Sequence, residues 1–156
     1  GTSTTYYTPY NSLFNYSFVQ QIYTADEIGV PGTITAIAFN SSDQSDNCNF
    51  DIYMKLVSRS SFSSDTDFEP ITSADLVYSG TYTITTGWNN FELDAPFAYD
   101  GSSNLLIAFH EKTGSYSSKH FYYTSAANMV VCAYSDSYNP TAVGFNPASY
   151  SGSKEF

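Results

Sequence analysis

Positive charge is what this sequence has least of. Five Lys and Arg face fifteen Asp and Glu across 156 residues, for a formal net charge of −10. A phosphate backbone or an anionic leaflet within a Debye length, about 8 Å at physiological salt, is repelled, which excludes nucleic acid and membrane surfaces as partners. Long apolar runs are missing too. None approaches the roughly 20 residues that a spanning helix needs, and no basic and apolar leader precedes Gly1. The expectation is a soluble, mature piece of chain.

Cysteine and histidine are nearly absent. Cys48 and Cys132 match no paired metal spacing and leave room for one disulfide. His110 and His120 lie near no Gly-x-Ser-x-Gly elbow, so Ser-His-Asp and Cys-His chemistry has no motif to rest on. Glycine-rich phosphate cradles are missing as well. A glycosidase carboxylate pair is set by separation in space, so fifteen carboxylates leave that arrangement open. The expectation is a protein without catalytic activity.

What is present is strand chemistry. Aromatic residues make up 18% of the chain, with 15 Tyr, 12 Phe and one Trp, and 24 Ser and 16 Thr fill much of the remainder. β-branched and aromatic side chains suit a pleated, half-buried surface. Gly1-Thr2 and Glu155-Phe156 are dipeptides that cloning sites encode, and Ser151-Gly152-Ser153-Lys154 is linker-like. Both ends are therefore set aside from fold reasoning, and residues 1–156 read as one module of a longer polypeptide.

The first fifteen residues read as an extended arm. Strands are expected at Ser17–Tyr23, Thr33–Phe39, Asn49–Val57, Leu76–Thr85, Trp88–Leu93 and Asn104–His110, with two more near Lys119–Thr124 and Met129–Ser135. Asn49–Val57 alternates most cleanly, with Phe50, Ile52, Met54 and Leu56 on one face and Asp51, Tyr53 and Lys55 on the other. Thr24-Ala25-Asp26-Glu27 has capping-box spacing for one short helical turn closed by Gly29, and Ser60–Ser64 reads as another turn. Asp94-Ala95-Pro96 and Asp100-Gly101 read as chain turns. About nine strands with no crossover helix between them predict an all-β fold, an antiparallel two-sheet β-sandwich of the jelly-roll type.

Two kinds of site suit this composition. Ca²⁺ needs several oxygen ligands, which Asp43, Asp46 and Asn47, or Asp65, Asp67 and Glu69, offer on loops. Neither set forms an EF-hand, and solvated turn formers are the competing reading of both. A sugar presents an apolar C–H face edged with hydroxyls, so it needs a flat aromatic ring with Asp, Asn, Gln, Lys or Arg at the rim. The outward row Asp51, Tyr53, Lys55 has that mixture, and His110 with Glu111, or Tyr122, joins it if those strands are neighbours. Trp88 opens a strand directly after Gly87 and is expected to plug one end of the core. Tyr116, Tyr138 and Tyr150 are the loop-rim alternatives.

The run from Gly87 through Gly101 (GWNNFELDAPFAYDG), continuing Ser102-Ser103-Asn104-Leu105-Leu106-Ile107, resembles a segment of non-catalytic β-sandwich modules in Bacteroidetes-type secreted proteins of gut and rumen. Companion signatures are Gln20-Gln21-Ile22-Tyr23 before Glu27-Ile28-Gly29, and Asp51-Ile52-Tyr53-Met54, so the resemblance spans about two thirds of the chain. Such modules resemble carbohydrate-binding modules of glycoside hydrolases and adhesin-like modules of secreted proteases. The resemblance implies an accessory role at the bacterial surface or outside the cell and assigns no binding residue. The leading expectation is a module that tethers a covalently linked catalytic domain to a polysaccharide or glycan. The alternative is an adhesin-like or structural spacer.

Overall fold

In a computed structural model, which describes residues 1–44 and 47–156, the chain forms two antiparallel sheets. The strands are β1 (Ser3–Thr5), β2 (Tyr16–Tyr23), β3 (Gly32–Ser41), β4 (Asn47–Val57), β5 (Leu76–Thr83), β6 (Gly87–Tyr99), β7 (Asn104–Glu111), β8 (Phe121–Tyr123), β9 (Val130–Ser135) and β10 (Ser153–Glu155). One sheet has the order β1-β8-β3-β6, and the other the order β10-β9-β2-β7-β4-β5. The molecule is a two-sheet β-sandwich.

Period-two alternation places the core between the sheets. Phe50, Ile52 and Met54 of β4 and Leu105, Ile107 and Phe109 of β7 face Ile37 and Phe39 of β3 and Phe91 of β6. Phe39, Phe50 and Phe91 each meet the Phe109 ring nearly edge to face, at centroid distances of 5.4, 5.7 and 5.5 Å. That geometry suits the ring quadrupoles.

The six-stranded sheet is buried on its other face as well. Phe18, Ile22, Tyr53, Leu106, Ala108 and Val131 pack there under Phe62, Phe68 and Ile71 from the β4–β5 excursion and under Ala142 and Phe145 from the segment after β9. Gln20, fully buried on β2, latches the excursion by exchanging two hydrogen bonds with the Glu69 backbone, each 2.8 Å. Lys55 and Arg59 reinforce it through ion pairs with Glu69 and Asp67.

Several local expectations are corrected. The Thr24 capping box forms, with Thr24 N donating to Glu27 Oε2 at 2.7 Å over the helix α1 (Ala25–Ile28). Ser60–Ser64 forms no helix; the second helical turn is the 3₁₀ segment Ser73–Asp75, which carries its own Thr72/Asp75 box. The expected turn at Asp94-Ala95-Pro96 lies inside β6, an edge strand where Pro96 need not donate to a ladder. The turn at Asp100-Gly101 is real. Gly101 has φ +78°, and a Cβ there would lie 2.7 Å from Pro31 Cδ. The carboxyl-terminal residues set aside above form β10 on β9, and Tyr134 donates to Glu155 at 2.6 Å. Cys48 and Cys132 sit in different clusters of the core and do not form a disulfide.

Candidate functional site

Among the described residues, the broad sheet face left to solvent is the outer face of the four-stranded sheet. Ser41 pairs with Gly87 on one side and Phe121 on the other, and Phe121 points into the core. One step along, Asn40 pairs with Trp88, and antiparallel pairing puts Tyr122 beside Asn40 on its other flank, next to Thr4 of β1. Trp88, Asn40 and Tyr122 thus form one outward row across β6, β3 and β8. Strands lie about 4.8 Å apart, so the two rings stand about 10 Å apart at their backbones. Trp88 is 71% exposed and Tyr122 42%.

The rows behind keep this face low and polar. Ala38 pairs with Asn90 and Ala36 with Glu92, so two alanines lie beside an amide and a carboxylate. Asn90 donates to Glu92 across the strand's own face. The turn that presents Trp88 is held from beneath by Asn89, which is fully buried. Its Oδ1 accepts from Thr85 N at 2.8 Å, and its Nδ2 donates to the carbonyls of Thr85 and Gly87 at 2.8 and 3.0 Å. Gly87 supplies the positive φ, +101°, that starts the strand. Trp88 therefore leaves a rigid platform, and the expectation that it plugs the core is corrected.

The row expected from the sequence is covered. Tyr53 is 6% exposed under the excursion, Lys55 donates to Glu69 Oε1 and to the Pro70 carbonyl, and His110 is buried with its ring bonded to Asn139 Oδ1 at 2.8 Å. Burial lowers the His110 pKa, although the Asn139 bond opposes it. Asp51 is tied to Lys112 Nζ at 2.6 Å and to Ser79 Oγ at 2.6 Å. Burial works to raise its carboxyl, and the Lys112 and Ser79 hydrogen bonds overcome that and hold it low. Asp51, Tyr53, Lys55 and His110 do share one sheet face, as β4 and β7 pair directly, but that face is a second core boundary. Tyr122 belongs to the opposite sheet and does not join them.

Among the described residues, Asp43, Asn47, Asp67 and Glu69 already have protein partners, while Asp65 is exposed. Asp43 Oδ2 accepts from the His120 backbone N–H at 2.9 Å and faces Nδ1 of the same residue at 2.8 Å, and these two bonds hold its carboxyl below the usual range. Asn47 Oδ1 accepts from Thr83, and Asp46 lies outside the described residues. Asp67 and Glu69 pair with Arg59 and Lys55. No group of three His, Cys, Asp or Glu among the described residues is placed to hold a metal. Tyr116 and Tyr138 are exposed at loop rims, and the Tyr150 hydroxyl donates to the Tyr138 carbonyl at 2.8 Å.

The outward face of Trp88 has a signal in the sequence: its alternation partners Asn90 and Glu92 are polar, which marks their shared face as solvent-facing and outweighs the core reading. No protein-family model, curated protein or solved structure matches this chain.

Proposed function

We propose that the chain is a non-catalytic carbohydrate-binding module whose ligand lies across the outer face of the four-stranded sheet. The observation that carries this reading is the Trp88–Asn40–Tyr122 row, two exposed rings flanking an amide on an outward sheet face. Each ring offers the apolar floor that the C–H face of a pyranose needs, and Asn40, Asn90 and Glu92 offer donors and acceptors for its hydroxyls. Two rings in line across the strands suit an extended polymer better than a single sugar.

The strand orders 1-8-3-6 and 2-7-4-5, with β9 and β10 added at one edge, fit the jelly-roll reading. In this reading the module is exported and covalently linked to a catalytic domain such as a glycoside hydrolase, and it raises the local concentration of polymer by tethering. Affinity electrophoresis in gels containing neutral plant polysaccharides tests it. Retardation by at least one polymer, abolished by Trp88→Ala and weakened by Tyr122→Ala, is expected. Unchanged mobility in every polymer sinks the reading and favours the adhesin-like or spacer alternative.

A further inference from the structure

At the end of the sandwich where Gln44 and Asn47 approach the β5–β6 and β7–β8 connections lies a cleft of about 490 Å³, a ligand-sized volume. Its lining includes Ile84 and Cys48, both buried, and otherwise hydroxyls and amides such as Thr83 and Ser115. Tyr116, 66% exposed, and Lys119 complete it.

The β7–β8 connection is fixed before any ligand arrives. Ser12, buried in the amino-terminal arm, accepts at its carbonyl from the amides of Ser117 and Ser118, each at 2.9 Å. Its hydroxyl donates to the Lys119 carbonyl at 2.7 Å and accepts from the Lys119 amide at 2.9 Å. Gly114 N donates to Asn15 O, and Asn49 N donates to Thr113 Oγ1. A wall held in this way loses little freedom on binding.

Lys119 stands apart from the other cations. Lys55, Arg59 and Lys112 each pair with a carboxylate, and Lys154 lies over the Tyr150 ring. Lys119 makes no ion pair among the described residues, and the nearby Asp43 directs its Oδ2 to His120. Among the described residues that line the cleft Lys119 is the only charged one, in a chain of net charge −10, and its positive charge also acts on the neighbouring Asp43 carboxylate. At contact distance the attraction between this ammonium and a ligand carboxylate outweighs repulsion by the chain's distant negative charge, which salt screens beyond about 8 Å.

We propose that this cleft is a second saccharide site and that it takes a uronic acid unit, with its carboxylate on Lys119, its ring face against Tyr116, and its hydroxyls on the Thr and Ser walls. The site is distinct from the Trp88 row, and it extends the sugar-binding reading to acidic glycans. Isothermal titration of the 156-residue chain with glucuronate and galacturonate oligosaccharides, their methyl esters and sodium acetate tests it. The acids are expected to bind, with affinity reduced roughly tenfold or more by Lys119→Gln, by Tyr116→Ala and by esterification, while Trp88→Ala leaves it intact. Absence of uronate binding, equal binding by Lys119→Gln, or competition by acetate at equal concentration overturns the proposal. Neutral-polymer retardation reads the Trp88 row separately, so either site can fail without the other.

Discussion

Gln20 and Glu69, 49 positions apart, hold each other like facing strands: Gln20 Nε2 donates to the Glu69 carbonyl and Glu69 N–H donates to Gln20 Oε1, both at 2.8 Å. This side chain does the work of a ladder residue, sealing the β4–β5 excursion onto the six-stranded sheet. Gln20→Leu keeps the volume and orphans both backbone groups. A loss of about 2–6 kcal/mol in urea unfolding is expected, from two unsatisfied, partly buried groups at about 1–3 kcal/mol each. An unchanged midpoint would show that the excursion is held by Phe62, Phe68 and Ile71 alone.

Tyr53→Ala separates a core residue from a binding residue. The ring is buried with Phe62 and Leu106 around it, so truncation is expected to destabilise by about 3 kcal/mol or more. The fraction that remains folded should still be retarded by any polymer that retards the parent chain. Selective loss of binding with an unchanged midpoint would return Tyr53 to the site.

Trp88 is the chain's single tryptophan, so its fluorescence reports on the outer row without labelling. In the unliganded protein, emission is expected at the long wavelengths of a hydrated indole, with ready acrylamide quenching. A bound polymer should shift it to shorter wavelength and slow the quenching. Binding without any spectral change places the ligand elsewhere.

Glu111 gives the fold a pH slope. Glu111 is 2% exposed, its Oε1 accepts from Thr113 N at 2.8 Å, and its Oε2 has no hydrogen-bond partner among the described residues. Burial pushes its pKa up from 4.5 to about 7, against the Thr113 bond. Across that window the folded chain keeps a proton that the unfolded chain has released, so stability falls as pH rises from about 4.5 to about 7 and stays low above it. The full effect is on the order of 3 kcal/mol. Asp51 and Asp67, held low by Lys112 and Arg59, act in the opposite sense and withdraw stability as pH falls below the ordinary carboxylate range. Urea midpoints at pH 5 and pH 8 should differ in the parent chain and draw together in Glu111→Gln. An equal pH 5-to-8 drop in both proteins would remove Glu111 as the cause.

What the sequence discloses and what it hides divide along physical lines. Strand positions, the alternation of β4 and β7 and the Thr24 box are local, and they can be read from spacing alone. The site is not local. Asp51, Tyr53 and Lys55 do point away from the inter-sheet core, but whether that face meets water depends on a Ser- and Asp-rich excursion folding back over it. The polar residues of that excursion hide three apolar anchors, Phe62, Phe68 and Ile71. Tyr122 and Trp88 lie 34 positions apart and share one row only because β3 stands between β8 and β6, which is a fact of topology.

The division of labour between the two sheets carries a consequence for engineering. Trp88, Asn90, Glu92, Asn40 and Tyr122 add nothing to either packed interior, whereas the six-stranded sheet is clad on both sides. Randomising these five positions would change the chemistry of the plateau while leaving the thermodynamic chassis in place, so the fold can serve as a scaffold for displaying chosen side chains.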